Sequence, residues 1–478
     1  MKIVMVASEA VPFVKSGGLA DVMGALPAYL KKKNSKISLI LPLYKDIRDR
    51  YSDQLTLVTE LDVSVNWREQ RAAVYSLEQK DMTYLFIEND YYFGRENLYG
   101  YFDDGERFVF FSKAVVEYLF NVEERIDIVH THDWQTALVN VYIDYFRQQG
   151  RLLDIKTVYT IHNLKYQGRF GRVVFDELLD LPPSYFSDDK LEFFGDVSFM
   201  KGAILTSDHI TTVSPTYSHE IRTAEYGEGL DGVLKSAEHK LSGVINGIDY
   251  QEYHPRTDPH LYVNYRSSYQ KKLENKIKLQ EVLGLEISKT TPMLSVITRF
   301  TDQKGLDLLV EIVETILSEN IQLVIHGNGE SLYEEIFLSM AEKYPGNCRV
   351  MLGFKESLAR KIYAGSDIFL MPSKFEPCGL SQMIAMNYGT VPVVRETGGL
   401  KDTVTAFNEY TGEGNGFSFI NYSAEEFLKV TNYAINMYKD QPLWKVIYKN
   451  AICSAFTWNN SAEEYITIYK QLLGKRID

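Results

Sequence analysis

The chain has 478 residues, of which 45% are hydrophobic and 24% are charged, which indicates a globular protein of two or three domains. Its formal net charge of −13 argues against a general surface for nucleic acid or anionic membrane, so any phosphate must be bound by a local cluster of cations. Three separated cysteines argue against a disulfide framework and fit a reducing cytoplasm. The apolar run at residues 3–7 is too short for a signal peptide and is expected to form a first buried strand.

Short apolar runs alternate with amphipathic stretches, which predicts buried parallel strands connected by helices. In the first half the predicted strands are residues 3–7, 38–41, 84–87, 126–130, 157–161 and 209–213, with helices at 21–32, 106–120 and 135–148. In the second half the predicted strands are residues 293–298, 321–326, 349–352, 367–371 and 391–394, with helices at 305–318, 330–343, 358–364 and 424–439. Two successive arrays of this kind predict an α/β protein with two doubly wound, Rossmann-like domains.

The boundary between the domains is predicted near residues 246–255, where turn residues replace periodicity. The predicted domains are therefore residues 1–245, completed by residues 457–478, and residues 246–456. The polar segment 258–278 is compatible with a mobile surface excursion. Ser461 and Glu464 form a capping-box pattern that predicts the start of a last amphipathic helix, which is expected to pack back on the first domain.

The stretch KFEPCGLS at residues 374–381 lies between a predicted strand and a predicted helix. This places Glu376 at the carboxyl end of a strand and the N–H groups of Gly379, Leu380 and Ser381 at a helix N-terminus. Open α/β sheets bind ligands at that edge, and a helix N-terminus favours anions. The stretch therefore predicts a ligand that carries both hydroxyl and phosphate groups, with a solvated loop glutamate as the alternative.

A second candidate loop, KSGGL, follows the first strand. Gly17 and Gly18 would let the backbone approach a ligand closely, and Lys15 supplies a point charge suited to phosphate. An ordinary Gly-Gly turn is the alternative. Asp21 would either cap the following helix or accept a substrate hydroxyl.

Histidines mark two further strand ends in the first half. His162, followed by Asn163, can donate hydrogen bonds to hydroxyls without being charged, or can bond to backbone at the edge of the core. The sequence His130-Thr131-His132-Asp133-Trp134 offers potential metal ligands. Because no further ligand cluster has suitable spacing, we favour a binding wall with Trp134 as an aromatic platform.

Two cations follow the first strand of the second array. Arg299 and Lys304 lie between this strand and the helix predicted from residue 305, where they could hold a diphosphate together with the helix dipole. Pairing of both cations with Asp302 and solvent is the alternative. The HGNGE turn at residues 326–330 would suit contact with a nucleotide or serve only as a tight connection.

Taken in order, these motifs resemble those of the bacterial glycogen synthases and plant starch synthases, which are retaining glucosyltransferases of the GT-B type. The resemblance covers nearly the whole chain and rests on KSGGLADV (15–22), HTHDWQTAL (130–138), TIHNLKYQG (160–168), TTVSPTYSHEI (211–221), NGID (246–249), RFTDQKG (299–305), KFEPCGLSQ (374–382) and TGGLKDTV (397–404). It implies two Rossmann-like domains facing across a deep cleft, with the C-terminal helix crossing back to the N-terminal domain. It also implies that the N-terminal domain serves the acceptor glucan and the C-terminal domain serves the sugar nucleotide.

The resemblance also implies roles for individual residues. The implied contacts to ADP-glucose are Lys15, Gly17, Gly18, Asn246, Arg299, Lys304, Phe354, Glu376, Gly379, Leu380 and Ser381. The implied catalytic group is Glu376, His162, Arg299, Lys304 and Asp21, and the implied acceptor contacts are His132, Asp133, Trp134 and Asn163. Related glycosyltransferases often carry a second glutamate eight residues after the first, but this chain has Ile384 there.

The implied reaction transfers glucose from ADP-glucose to the non-reducing end of glycogen or another α-1,4-glucan and releases ADP. The resemblance implies a cytoplasmic enzyme without metal or pyridoxal phosphate, and no nucleic-acid or membrane partner is expected. Two alternatives stay open. One is a glucan phosphorylase-like enzyme, which would need a pyridoxal-phosphate lysine, and the other is a non-catalytic, glucan-binding regulatory homologue.

Overall fold

The computed structural model describes residues 1–474, so the last part of the predicted C-terminal segment, residues 475–478, lies outside the described residues. The strands in chain order are β1 Lys2–Val6, β2 Lys36–Pro42, β3 Thr56–Val65, β4 Arg68–Gln79, β5 Met82–Glu88, β6 Ile128–His132, β7 Lys156–Ile161, β8 Arg169–Phe170, β9 Glu192–Phe193, β10 Asp196–Ser198, β11 His209–Thr212, β12 Leu241–Gly243, β13 Met293–Ile297, β14 Gln322–Gly327, β15 Cys348–Leu352, β16 Ile368–Met371, β17 Val391–Arg395 and β18 Phe417–Phe419.

The α-helices connect these strands. In chain order they are α1 Gly18–Lys31, α2 Lys45–Tyr51, α3 Asp90–Phe93, α4 Asp104–Asn121, α5 Trp134–Gln148, α6 Arg172–Leu178, α7 Phe199–Thr206, α8 Pro215–Glu220, α9 Asp231–Ser236, α10 Tyr269–Leu283, α11 Leu306–Leu317, α12 Ser331–Lys343, α13 Glu356–Gly365, α14 Ser381–Asn387, α15 Gly398–Thr403, α16 Ala424–Lys439, α17 Gln441–Cys453 and α18 Trp458–Leu472. Within the described range, no helix is both long enough and apolar enough to cross a membrane.

The chain forms two compact units. The first is Met1–Asn246 together with the C-terminal segment that begins at Trp458, and the second is Gly247–Thr457. Each unit is built on a largely or wholly parallel sheet whose strands alternate with helices. The predicted α/β class with two Rossmann-like domains is thus confirmed.

The sheet of the first unit has the order β12-β11-β7-β6-β1-β2-β5-β4-β3. Strand β1 is fully apolar in its interior and pairs in parallel with β2 on one side and β6 on the other. The chain runs from β1 to β2 on one side and from β6 to β7 on the other, so the loops after β1 and β6 flank a topological switch point. Open α/β sheets bind ligands at such a point.

The antiparallel strands β3 and β4, at one edge of this sheet, were not predicted. In β3 burial alternates only from Leu61 to Val65, and β4 begins with four polar residues, Arg68 to Arg71, none of which is buried. Continuous apolar runs identify central parallel strands, whereas an edge hairpin with one solvent-exposed face has a much weaker hydrophobic pattern.

The last helix, α18, belongs to the first unit, as predicted. It packs against α1, and its Tyr465 and Tyr469 are buried in the core of that unit. The predicted capping role of Ser461 is wrong, because the helix begins at Trp458 and Ser461 lies inside it. The Ser461 hydroxyl instead donates a hydrogen bond of 2.6 Å to the carbonyl of Ile245.

The second unit contains a parallel sheet with the order β15-β14-β13-β16-β17-β18. Strand β13 pairs with β14 and β16. The chain continues from β13 to β14 on one side and from β16 to β17 on the other. The loops after β13 and β16 therefore flank the switch point of this sheet, which is where its ligand site is expected.

The segment 258–278 is not the surface excursion that its polarity suggested, because its last part begins helix α10. Lys276 is fully buried there and forms an ion pair of 2.6 Å with Asp367, whose carboxylate also accepts the backbone N–H of Met293 at 2.9 Å. Burial lowers the pKa of Lys276. Charged residues are rarely buried unless they are paired, so the polar sequence of α10 gave no sign that this helix has a buried face.

Candidate functional site

The two loops at the switch point of the second unit meet through a buried ion pair. Lys304, from the loop after β13, donates a hydrogen bond of 2.6 Å to Oε2 of Glu376, from the loop after β16. Ser373 donates to the same oxygen at 3.1 Å. Glu376 is only 6% exposed. Two residues 72 positions apart in the sequence are thereby fixed in one small region of the sheet edge.

Backbone contacts hold these loops together. The N–H of Lys374 donates to the carbonyl of Gln303 at 2.9 Å, and the Gln303 side chain donates back to the carbonyl of Phe375 at 3.3 Å. Gly305 has a φ of +67°, and a Cβ atom there would lie 2.0 Å from the carbonyl oxygen of Pro372. Only glycine permits this close approach, so the spacing of Lys304 and Glu376 depends on Gly305.

The Gly-Gly pair that begins α15 packs against the backbone of Glu376. The N–H of Gly399 donates to the Glu376 carbonyl at 3.1 Å. A Cβ atom at Gly398 would lie 2.0 Å from that carbonyl oxygen, and one at Gly399 would lie 2.1 Å from the carbonyl oxygen of Cys378. No role was predicted for these glycines, although a pair of glycines in a loop between a strand and a helix is a signal of close backbone approach.

The end of the KFEPCGLS stretch has the predicted strand–turn–helix form. Gly379 has a φ of +72°, Leu380 is the N-cap, and Ser381 is the first residue of α14. The Gln382 side chain ties the turn to the helix by donating to the carbonyls of Cys378 and Gly379 at 3.1 and 3.0 Å. The N–H groups predicted to bind phosphate are therefore at the start of a short helix.

Arg299 and Phe354 extend the site of the second unit at the surface. Arg299 is exposed, and its guanidinium group forms no hydrogen bond or ion pair within the described chain. Phe354 is 58% exposed, and one face of its ring stacks on His326 with a centroid distance of 5.7 Å and an interplanar angle of 15°. The His326 ring is held by the Lys355 N–H, which donates to Nε2 at 3.1 Å. Phe354 thus presents a supported aromatic surface.

In the first unit the KSGGL loop lies between β1 and α1. Lys15 pairs with Asp21 at 2.8 Å, and both side chains are partly exposed. The helix begins at Gly18 with Gly17 as its N-cap, three positions earlier than predicted, so Asp21 lies in the first turn and is not the cap. Its carboxylate still complements the helix dipole there.

Glu9 organises this loop and was missed by the sequence analysis. The residue is 4% exposed, and its carboxylate accepts the backbone N–H groups of Ser16 and Gly17. Burial raises the pKa of Glu9, and the two N–H groups oppose that shift. A glutamate in the loop that follows a buried first strand was the available signal, because this loop lies at the ligand edge of the sheet.

The structure brings His162, Asp133 and His132 together in the first unit. The backbone N–H of His162 donates to Oδ1 of Asp133 at 2.8 Å, and its ring Nε2 lies 3.0 Å from Nδ1 of His132. His132 is fully buried. Burial lowers the pKa of His162 to about 3 and raises the pKa of Asp133 to about 7. His162 is therefore a neutral hydrogen-bonding group near neutral pH.

The remaining histidine of the HTHDW motif is a core residue. His130 is fully buried and bonds to the Tyr469 hydroxyl at 2.7 Å and to the Thr160 hydroxyl at 2.6 Å. Burial lowers its pKa to about 3. Among the described residues, no group of three or more His, Cys, Asp or Glu side chains is arranged to hold a metal ion.

The other predicted residues of the first unit are partly or wholly enclosed. Trp134 is half-buried against Phe108, Phe170 and Phe199, with ring centroids 5.1 to 6.4 Å away. Asn163 accepts the N–H of Lys165 at 3.0 Å.

Asn246 ends the first unit as a buried polar residue. It is 5% exposed, and its side-chain oxygen has no hydrogen-bond partner among the residues that the structure describes. An unpaired buried acceptor is costly, so this oxygen is suited to receive a donor from a bound ligand.

Each of the two units matches a known family model. The family model described as "Starch synthase catalytic domain" matches residues 2–236, and the model described as "Glycosyl transferases group 1" matches residues 283–452.

Relatives of known identity match over the full chain. A glycogen synthase of Bacillus cereus (strain Q1) is 49% identical over 99% of this chain and 100% of its own length. A glycogen synthase of Desulforamulus reducens is 46% identical over 99% of each chain.

Solved structures show the same architecture. The catalytic domain of Starch Synthase IV from Arabidopsis thaliana, bound to ADP and acarbose, has a TM-score of 0.90 and 32% identity, with 99% of both chains covered. A sucrose-phosphate synthase from Thermosynechococcus elongatus shares the fold, with a TM-score of 0.60 and 15% identity. The full-length identity to glycogen synthases and the match to a starch synthase structure show that the chain belongs to the bacterial glycogen synthase and plant starch synthase family of glycosyltransferases.

Proposed function

We propose that this protein transfers glucose from ADP-glucose to the non-reducing end of an α-1,4-glucan, with retention of the anomeric configuration and release of ADP. The observation that carries the proposal is the Lys304–Glu376 pair at the switch point of the second unit, with the exposed cation of Arg299 on the same loop. The names of the full-length relatives and the ADP bound by the plant structural neighbour support the choice of reaction and donor.

The cationic side chains of the second unit bind the diphosphate of the donor. Arg299 and Lys304 hold it, because a guanidinium group and an ammonium group at one strand end supply the positive charge that this acidic protein lacks overall. The N–H groups of Gly379, Leu380 and Ser381 contribute at the start of α14. Phe354 stacks on the base. In the first unit, Lys15, Gly17 and Gly18 contact the same class of ligand.

The glucosyl group is bound by hydrogen bonds. Glu376 accepts from its hydroxyls while Lys304 and Ser373 hold the carboxylate in place. His162 is neutral and donates a hydrogen bond, and Asn246 offers its unpaired oxygen. Asp21 is the further acceptor, held by Lys15.

The chemistry is a substitution at the anomeric carbon. The bond from C1 to the phosphate oxygen breaks, charge develops on the diphosphate, and the cations stabilise that charge. The position where related enzymes carry a second glutamate is Ile384, which is 7% exposed in α14 and provides no carboxylate. A front-face route follows: the acceptor hydroxyl attacks C1 on the same side, and its proton passes to the departing phosphate.

The acceptor glucan is assigned to the first unit. Asp133, Trp134 and Asn163 are the proposed contacts, while the fully buried His132 acts through its contact with His162.

No metal or pyridoxal phosphate takes part in the proposed reaction, and the cytoplasm is the proposed location.

The test is release of nucleoside diphosphate when the protein is mixed with glycogen and either ADP-glucose or UDP-glucose. Glucan-dependent ADP release that is lost in Glu376→Ala is the expected result. Release of UDP alone would replace the donor but keep the chemistry. Release of neither, with glycogen still bound, would overturn the proposal in favour of a regulatory glucan-binding protein.

A further inference from the structure

The hairpin between β9 and β10 turns at an unusual residue. Phe194 and Gly195 form its two-residue turn, with φ values of +53° and +84°. Turns of this kind favour Asn-Gly, because most L-residues adopt a left-handed backbone only at a cost in free energy. Phe194 is the one aromatic residue with a left-handed backbone in the described chain. A bulky residue held in this conformation points to a functional requirement for its side chain.

The hairpin presents the Phe194 ring to solvent. Phe194 is 75% exposed, whereas Phe193 beside it is 5% exposed and anchors the turn in the core. Gly229, with a φ of +80°, lies against both rings: a Cβ atom there would be 3.2 Å from Phe193 and 3.8 Å from Phe194. The exposed ring is thus supported from below and open on its outer side.

The groups around this ring are those that bind sugars. Glu228, next to Gly229, is exposed, and its carboxylate forms no hydrogen bond or ion pair among the described residues. On the neighbouring strand β8, Arg169 is neutralised by Asp196 of the hairpin at 2.8 Å, and Lys201 at the start of α7 donates to the Glu192 carbonyl. An aromatic face beside carboxylate acceptors and without excess positive charge suits a neutral polyhydroxylated ligand, and disfavours a phosphate or a nucleotide.

The position of the hairpin in the first unit relates it to the proposed acceptor side. Residues 162–198 form the connection from the carboxyl end of β7 to α7, so this connection begins at His162 and includes the hairpin. Its early part is fixed to the start of α7, because the carbonyls of Gly168 and Gln167 accept the N–H groups of Phe199 and Met200 at 3.1 Å. The Gln167 side chain also donates to the Glu228 carbonyl at 2.9 Å, which joins the loop of Glu228 to the same connection.

We infer that Phe194 is an aromatic platform for the acceptor glucan, with the apolar face of a glucose unit stacked on its ring and sugar hydroxyls donating to the Glu228 carboxylate. The inference rests on the proposed function and refines it. It moves the stacking role from Trp134, which is half-buried among three aromatic rings, to a ring that is open to solvent.

The experiment compares Phe194→Asn, Phe194→Tyr and a control, Tyr410→Asn, which removes an aromatic ring that is 91% exposed in the second unit. Binding of maltoheptaose is measured by calorimetry without donor, and glycogen binding by affinity electrophoresis. Glucose transfer is then measured with saturating ADP-glucose. Phe194→Asn should weaken glucan binding about tenfold, the size of one lost aromatic contact. Phe194→Tyr and Tyr410→Asn should bind like the wild type.

Phe194→Asn should also melt no lower than the wild type, because asparagine suits a left-handed turn. Unchanged glucan binding in Phe194→Asn, an equal loss in Tyr410→Asn, or a loss of binding that accompanies a lower melting temperature would overturn the inference. The binding measurements contain no donor. Loss of binding in Phe194→Asn without any transfer by the wild type would therefore refute the proposed function and retain the glucan platform.

Discussion

Removal of the Lys304 charge tests both the structural and the catalytic importance of the buried pair. The side chains of Lys304 and Glu376 are 17% and 8% exposed and their charged atoms are 2.6 Å apart. At an effective dielectric constant of about 20 their attraction is about 6 kcal/mol, most of which offsets desolvation. Loss of one partner from such a pair destabilises a protein by about 3–5 kcal/mol, because the other charge is left buried and unpaired. We expect a loss of this size in Lys304→Met.

The same substitution should lower turnover about 100-fold, since one charge-stabilising contact in a transition state contributes about 3 kcal/mol. The double variant Lys304→Met/Glu376→Gln separates the two effects. It should regain most of the lost stability, because no unpaired carboxylate is left, but it should not regain activity. Urea unfolding gives the change in stability, and glucan-dependent ADP release gives the turnover.

Lys343→Met is the matched control, because Lys343 forms a pair of similar length, 2.8 Å, with Glu314 on the surface of the second unit. Surface pairs contribute little, so stability and turnover should both stay near the wild-type values. The reasoning is refuted if Lys304→Met is as stable as the wild type, or if the double variant is no more stable than the single one. Equal losses of turnover and glucan affinity in Lys304→Met would refute the assignment to the diphosphate.

Three further expectations concern pH and backbone geometry. Burial lowers the pKa of Lys272 to about 7, so between pH 7 and the usual lysine pKa only the unfolded chain binds the proton. The free energy of unfolding should therefore rise with pH in this range, by about 1 kcal/mol per pH unit. Urea unfolding at several pH values should show that Lys272→Met loses this rise. His162, with a pKa of about 3, should not contribute a titration between pH 5 and 8, so His162→Gln should lower kcat without changing the shape of its pH profile. Gly305→Ala should lower the melting temperature and kcat together, by more than about 1 kcal/mol in stability, because its Cβ would lie 2.0 Å from the Pro372 carbonyl oxygen.

Each expectation has a result that would contradict it. The same pH dependence of stability in Lys272→Met and the wild type would show that Lys272 keeps its proton in the folded state. A titration near pH 6.5 that disappears in His162→Gln would show that the ring is charged during turnover. A Gly305→Ala variant with normal stability would show that the loop after β16 moves to accommodate the added Cβ atom. Gly346→Ala is the control, because Gly346 is exposed and a Cβ atom there meets nothing within 4 Å.

Much of the fold could be predicted because central parallel strands are apolar on both faces. The runs that became β1, β7, β13 and β16 stand out against amphipathic helices for this reason. The edge hairpin of β3 and β4 and the buried polar face of α10 could not be predicted. Their polar residues become favourable only through partners far away in the sequence, such as Asp367 for Lys276.

The sequence by itself determined where the central strands fall along the chain, which loops carry Glu376, Arg299, Lys304 and His162, and the resemblance to a family, because these depend on local pattern and motif. Only the tertiary structure decided which of these side chains meet. It paired Lys304 with Glu376 across two loops, buried His132, and left the ring of Phe194 in solvent. Contacts and exposure depend on strand order and on close backbone approach at glycine, and neither of these is contained in the pattern of any single stretch.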